Sequence, residues 1–180
     1  MLLRAELLSD RAVALAGPVP GSVADALASL GARTEPVPDD EHAVAELVGT
    51  RGPLHALVYD GGVAFGDGGE AALQATLEQA WIAVRAVAVG ALIEAGAGGK
   101  IVLIAPRADA GPLAGAAAAA LENLARTLAV EWARYGITAA AVVPAGGGET
   151  EPLVELVSFL VSRAGDYFSG CRFDLREAPA

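Results

Sequence analysis

The chain has 180 residues, 54% of them hydrophobic and 19% charged, with a formal net charge of −10. This balance excludes a disordered chain, and acidity without a basic stripe excludes nucleic acid and anionic membranes as partners. The single cysteine, Cys171, excludes an intrachain disulfide and fits a reducing compartment, the cytoplasm.

The first ten residues, MLLRAELLSD, carry Glu6 and Asp10 and no long apolar core, so no signal peptide is expected. The length suits one domain, residues 1–180, without linker or internal repeat. Arg11 to Gly17 reads as a buried strand ending in glycine. The turn PVPGS follows, then a helix in which Ser22 and Asp25 resemble a capping box and Val23, Leu27 and Leu30 form the apolar face. Gly31 ends that helix. Arg33 to Val37 is a short strand bounded by prolines, and Asp39, Asp40 and Glu41 open a helix through about Val48. Leu54 to Tyr59 is a further buried strand, and Asp60 to Gly69 reads as a glycine-rich loop.

A long helix is expected from Glu70 to Ala95, with Leu73, Leu77, Trp81, Val84, Ala88 and Leu92 at helical spacing. Its most apolar window, Ala80 to Gly99, contains Arg85 and Glu94. A membrane span needs about 20 residues with few or no charges, so this window reads as a buried helix. Ile101 to Ala105 is a strand. Leu113 to Tyr135 is a second long helix, with Leu121, Leu124, Leu128, Trp132 and Tyr135 on one face, a Glu122–Arg126 pair, and Gly136 as its stop. Ile137 to Val143 is a strand, Thr150 caps a helix through Val161, and Cys171 to Leu175 is the last strand. Strands alternating with helices predict a parallel sheet covered on both faces.

Three segments resemble one known family. GGKIVLIA resembles the strand that carries the catalytic serine of the short-chain dehydrogenases/reductases. AAALENLARTLAVEWARYGITAAAVVPA resembles their catalytic helix with the strand after it, and ELVSFLVSRAGDYFSGCRFDL their closing helix and final strand. The resemblance implies a Rossmann-like, doubly wound α/β fold and hydride transfer between a carbonyl or alcohol and NAD(P), supported by an Asn-Ser-Tyr-Lys tetrad. In this chain the positions of those four residues hold Thr76, Pro106, Ala114 and Ala118. Alanine and proline side chains neither donate, accept nor carry charge. No Tyr-x-x-x-Lys occurs anywhere.

The cofactor loop departs from the family as well. Gly17 and Gly21 match two glycines of Gly-x-x-x-Gly-x-Gly, and Val23 stands at the third, where its branched side chain is expected to crowd the pyrophosphate path. Pro18 and Pro20 stiffen the turn. The helix start at Ser22 leaves room for a weak NAD(P) contact, but no cofactor is expected. The segment between Gly31 and Leu54 holds one strand and one helix, so the adenosine-side edge strand is expected to be missing. AGGGETEP replaces the family's substrate-covering insertion after Pro144.

His42 and His55 lack metal-ligand spacing, and no metal is expected. His55 reads as structural and Cys171 as a buried small hydrophobe. The resemblance further implies that the two long helices pack against a neighbour, through Trp81, Leu121, Leu124, Leu128, Trp132 and Tyr135. The expected protein is a non-catalytic subunit that pairs with a catalytic homologue, or with itself. The competing expectations are an oxidoreductase with an unconventional site, drawing on Tyr59, Asp60 or Thr76, and a small nucleotide- or ligand-binding module.

Overall fold

The runs AVALA, ALVYD, GKIVLI and ITAAAVV show no apolar/polar alternation, as expected for strands covered on both faces. The computed structural model describes residues 3–177, apart from 18, 20, 67 and 147–150. In it these runs form β1 (Ala12–Ala16), β3 (Ala56–Asp60), β4 (Gly99–Ile104) and β5 (Ile137–Val143). The more polar β2 (Arg33–Pro36) and β6 (Cys171–Asp174) lie at the two edges. All pairings are parallel, in the order β2-β1-β3-β4-β5-β6.

Successive side chains of a strand point to opposite faces, so the core divides into two layers. Ala14, Leu57, Tyr59, Ile101, Leu103 and Ala141 pack on one face beneath α2 (Glu41–Arg51), α4 (Glu70–Val87) and α5 (Ala114–Glu131). Val13, Val58, Val102, Ile104 and Val142 pack on the other beneath α1 (Gly21–Ser29) and α6 (Glu151–Val161). This is the doubly wound α/β arrangement expected. Among the described residues no strand lies beyond β2, as the short segment after Gly31 implies.

Several boundaries differ from the sequence reading. α1 begins at Gly21, which puts Ser22 inside the first turn rather than at the cap. α2 runs on to Arg51, with Asp40 as its cap accepting from the Ala43 amide at 2.9 Å. The stretch read as a loop after Tyr59 contains the short helix α3 (Gly61–Phe65). Its cap is Asp60, whose Oδ1 accepts from the Gly62 amide at 2.6 Å. The helix from Leu113 to Tyr135 is α-helical only from Ala114 to Glu131, and Ala133–Tyr135 is a 3-10 turn before Gly136 at φ +70°. Cys171 is half-buried on the edge strand, not in the core. Pro18, Pro20 and Thr150 lie outside the described residues, as does part of the connection from Val143 to Glu151.

The long helix from Glu70 changes form at Ala88, and residues Ala88–Ile93 make a π-helical turn. By length and composition alone, Glu70–Ile93 could cross a membrane. Here its inner face, including Thr76, Ala80, Val84 and Val87, is buried within the domain. The π turn sets Gly90 directly against α2. A Cβ built there would lie 2.4 Å from the Glu41 carbonyl oxygen and 3.0 Å from Val44 Cβ. We therefore expect Gly90→Ala to lower stability by about 1–3 kcal/mol through overpacking against backbone. Gly49→Ala, at a helical position with no neighbour within 4 Å, should raise it by about 0.5–1 kcal/mol. Urea unfolding midpoints of the two variants check both signs.

Candidate functional site

In an open parallel sheet, ligands bind outside the carboxyl ends of the strands, where the strand order reverses. Here the reversal falls between β1 and β3. β1 ends at Gly17, whose φ of +72° requires glycine, with Tyr59 as the nearest side chain to its missing Cβ. Gly21 and Ser22 follow, both exposed at the start of α1. Val23 is 1% exposed and packs with Leu27 against the sheet. Its side chain is thus spent on the sheet. Its bulk sits where the third fingerprint glycine would allow close helix–strand packing.

Beyond this turn, a cleft of about 280 Å³ opens beside the ends of β3, β4 and β5, lined by Asp60, Val63, Ile104, Arg107, Pro144 and Leu153. Its lining is largely aliphatic. Arg107 forks onto the Asp109 carboxylate at 3.1 Å and 3.1 Å, which neutralises it. Asp60 is 5% exposed. Burial pushes its carboxyl up to about 6, against a smaller opposing effect from the Gly62 amide. Asp60 is thus a group in the cleft able to exchange a proton near neutral pH.

The four positions that the sequence resemblance assigned to the tetrad, Thr76, Pro106, Ala114 and Ala118, are all buried. Thr76 is fully buried, and its hydroxyl donates to the Ala72 carbonyl of its own helix at 2.9 Å. Tyr59 is 1% exposed and donates to the Thr76 carbonyl at 2.8 Å. Burial raises the phenol above its ordinary range, with Asp60 and Asp39 adding to the rise. Tyr59 is therefore sealed, and of the three donors considered from sequence only Asp60 reaches the cleft. Pro106 is buried just past the end of β4. Ala114 packs with Ala117 against Phe65 of α3, and Ala118 lies in the main core. Phe65, 0% exposed, fills the space beside the start of α5.

The helix face expected to meet a partner divides in two. Leu121 and Leu128, 0% and 2% exposed, point at the sheet and offer no surface to a neighbour. Leu124, Trp132 and Tyr135 are half-buried against the same core. Trp81 of α4 is 47% exposed. Beside it stand Ile82 and Val89, and Val130 of α5 is 77% exposed. These three residues were not singled out from the sequence.

The sequence matches no protein-family model and no curated protein. Its structure resembles a hydroxysteroid dehydrogenase from Escherichia coli, with TM-score 0.75 and 17% identity over 97% of this chain and 99% of that one. It also resembles a short-chain dehydrogenase/reductase variant from Serratia marcescens, with TM-score 0.73 and 21% identity over 94% and 97% of the two chains. The fold is that of the short-chain dehydrogenases/reductases. A third structure of this kind, from Brucella ovis, was solved with partially ordered NAD, and it aligns with TM-score 0.69 and 18% identity over 91% of this chain and 98% of that one. Against the short-chain dehydrogenase/reductase fold, the feature not read from sequence is α3. Its Asp60 cap and Phe65 bring a carboxylate and a ring to the carboxyl end of the sheet.

The elevated Asp60 carboxyl has a consequence for stability. The folded state holds the proton to higher pH than the unfolded chain does, so this group contributes in full below about pH 4. That contribution is lost as pH rises through about 6. A rise of roughly two units corresponds to about 3 kcal/mol. Asp60→Asn keeps the capping acceptor and removes the titration. The stability of the native chain relative to Asp60→Asn, from urea unfolding at pH 4, 5, 6 and 7, should therefore fall with rising pH. A difference that does not change with pH contradicts the assignment.

Proposed function

We propose that this chain is a non-catalytic subunit with the short-chain dehydrogenase/reductase fold. It associates with a catalytic homologue and supports that partner's NAD(P)-dependent oxidoreductase activity in the cytoplasm. The observation that carries the reading is the inner face of α5. Ala114 and Ala118, at the aligned positions of the tyrosine and lysine, are 1% and 6% exposed and packed beneath Phe65 and the core. Among the described residues the cleft is lined by no lysine, serine or phenol, and Asp60 is its one group that titrates near neutral pH.

Association is supported by the outer surface. Trp81 and Ile82 of α4, Val89 of the π turn after it and Val130 of the neighbouring α5 are exposed apolar side chains. Exposed aromatic and aliphatic groups on adjacent helices mark an interaction surface. The lone Cys171 fits a reducing compartment. A homodimer built on the same surface, with the cleft equally blank, is the form expected where no catalytic homologue is present. A second reading, an oxidoreductase or ligand-binding module with an unconventional site, draws on one observation: Asp60, titrating near 6, lines the cleft.

The test is co-expression with a catalytically intact homologue from the same organism, followed by native mass spectrometry and a carbonyl-reduction assay. A mixed oligomer, more active than the homologue alone, is expected. Trp81→Glu, at an exposed site, should leave the fold intact by circular dichroism and abolish the mixed species. A chain that stays monomeric and leaves the homologue's activity unchanged contradicts the subunit reading. NAD(P)H-dependent turnover by the isolated chain, lost in Asp60→Asn, would establish the second reading instead.

A further inference from the structure

The opposite end of the sheet, where the strands begin, holds a cavity of about 420 Å³, larger than the cleft at their carboxyl ends. Arg11, His55, Gly98, Lys100, Thr138 and Asp166 line it. The parallel register brings them together: Arg11 immediately precedes β1, His55 precedes β3, and Lys100 pairs with Thr138 across β4 and β5. Gly98 and Gly136 form part of the wall as bare backbone, so close that a Cβ on Gly98 would lie 2.6 Å from the Gly136 carbonyl oxygen.

The charges here run against the acidic balance of the chain. Three cations, Arg11, Lys100 and Arg163, face two carboxylates, Asp10 and Asp166. Two of the cations are committed. The Lys100 ammonium is 2.5 Å from the Asp166 carboxylate, and Arg163 forks onto Asp10 Oδ2 at 3.1 Å and 2.7 Å. Arg11 is different. Its side chain is only 14% exposed, and its buried Nε has no hydrogen-bond partner. The nearest carboxylate oxygen, Asp10 Oδ1, is 3.6 Å away on the group already held by Arg163. A buried donor without a partner is costly to leave so, and a guanidinium presents five donors in a planar fork.

Further donors line the same cavity. His55 Nδ1 accepts the Ala12 amide at 3.0 Å, which fixes the neutral ring with its proton on Nε2. Burial lowers the His55 basicity, with the Arg11 cation adding to the effect, so the ring stays neutral near pH 7. Thr138, across β4, lines the same cavity. A cation whose one ion pair is long and shared with Arg163, together with two neutral donors around a cavity of small-molecule size, describes a receptor for an anion.

We propose that this cavity is a binding site for a small oxyanion, a phosphate or carboxylate group, gripped by the Arg11 fork and completed by His55 and Thr138. The fork matches the paired oxygens of either group. The site stands apart from the carboxyl-end cleft, and the proposal does not depend on the subunit reading.

The test is a ¹⁵N NMR titration of the whole chain at low ionic strength in chloride buffer, with inorganic phosphate in one arm and sodium acetate in the other. Saturable shifts confined to the amides of Gly98, Gly99, Lys100 and Thr138 are expected in at least one arm, and the tighter arm identifies the group preferred. Arg11→Met keeps the side-chain stem and should weaken binding at least tenfold. Thr138→Val, which preserves shape, should weaken it about threefold and decides the matter if the Arg11 variant does not fold. Absence of saturation in both arms, shifts centred elsewhere, or unchanged affinity in Thr138→Val together with any folded Arg11→Met overturns the proposal.

Discussion

The structure depends on how closely α5 lies against the sheet. Its inner face is alanine at 114, 117, 118 and 125, with Leu121 and Leu128 between, and all six are buried. Small side chains let a helix approach its neighbours, and interiors packed in this way gain dispersion contacts that a polar or charged group there would forfeit. This close packing is not confined to α5. Phe65 closes on Ala114 from α3, and the Thr76 hydroxyl is turned onto its own helix.

This packing leaves the two ends of the sheet chemically unlike. The carboxyl end is largely aliphatic, with one buried carboxylate whose charge is disfavoured by its surroundings. The amino end gathers cations from strand starts and the segment after α6, in a chain whose net charge is −10. The α-helices return antiparallel to the strands and end at this second end of the sheet, so recognition of an anion there draws on side chains.

The strands were legible because burial on both faces leaves uninterrupted apolar runs, and glycines such as Gly31 and Gly136 marked the helix ends through their positive φ. Other features were not. α3 hides in a glycine-rich stretch without periodicity, and only the Asp60 cap announces it. The π turn leaves no trace, since apolar residues continue through it on every side. Spacing of three and four placed Leu121 and Leu128 with Leu124 and Trp132, but a helical stripe does not say whether the chain's own sheet or a partner covers it. The cluster around Arg11 joins residues separated by most of the chain, and only the register of β4 and β5 and the turn after α6 bring Lys100, Thr138 and Asp166 together.

The proposed non-catalytic subunit needs no dinucleotide in its carboxyl-end cleft, and a site-resolved titration tests this most directly. NADH is added to ¹⁵N-labelled chain, and the amides of Gly17, Gly21, Ser22, Asp60 and Gly62 are followed. They should show no saturable shift at concentrations that saturate a catalytically intact relative under the same conditions. Saturable shifts at those amides would mean that the cleft still receives a dinucleotide, and would contradict the account.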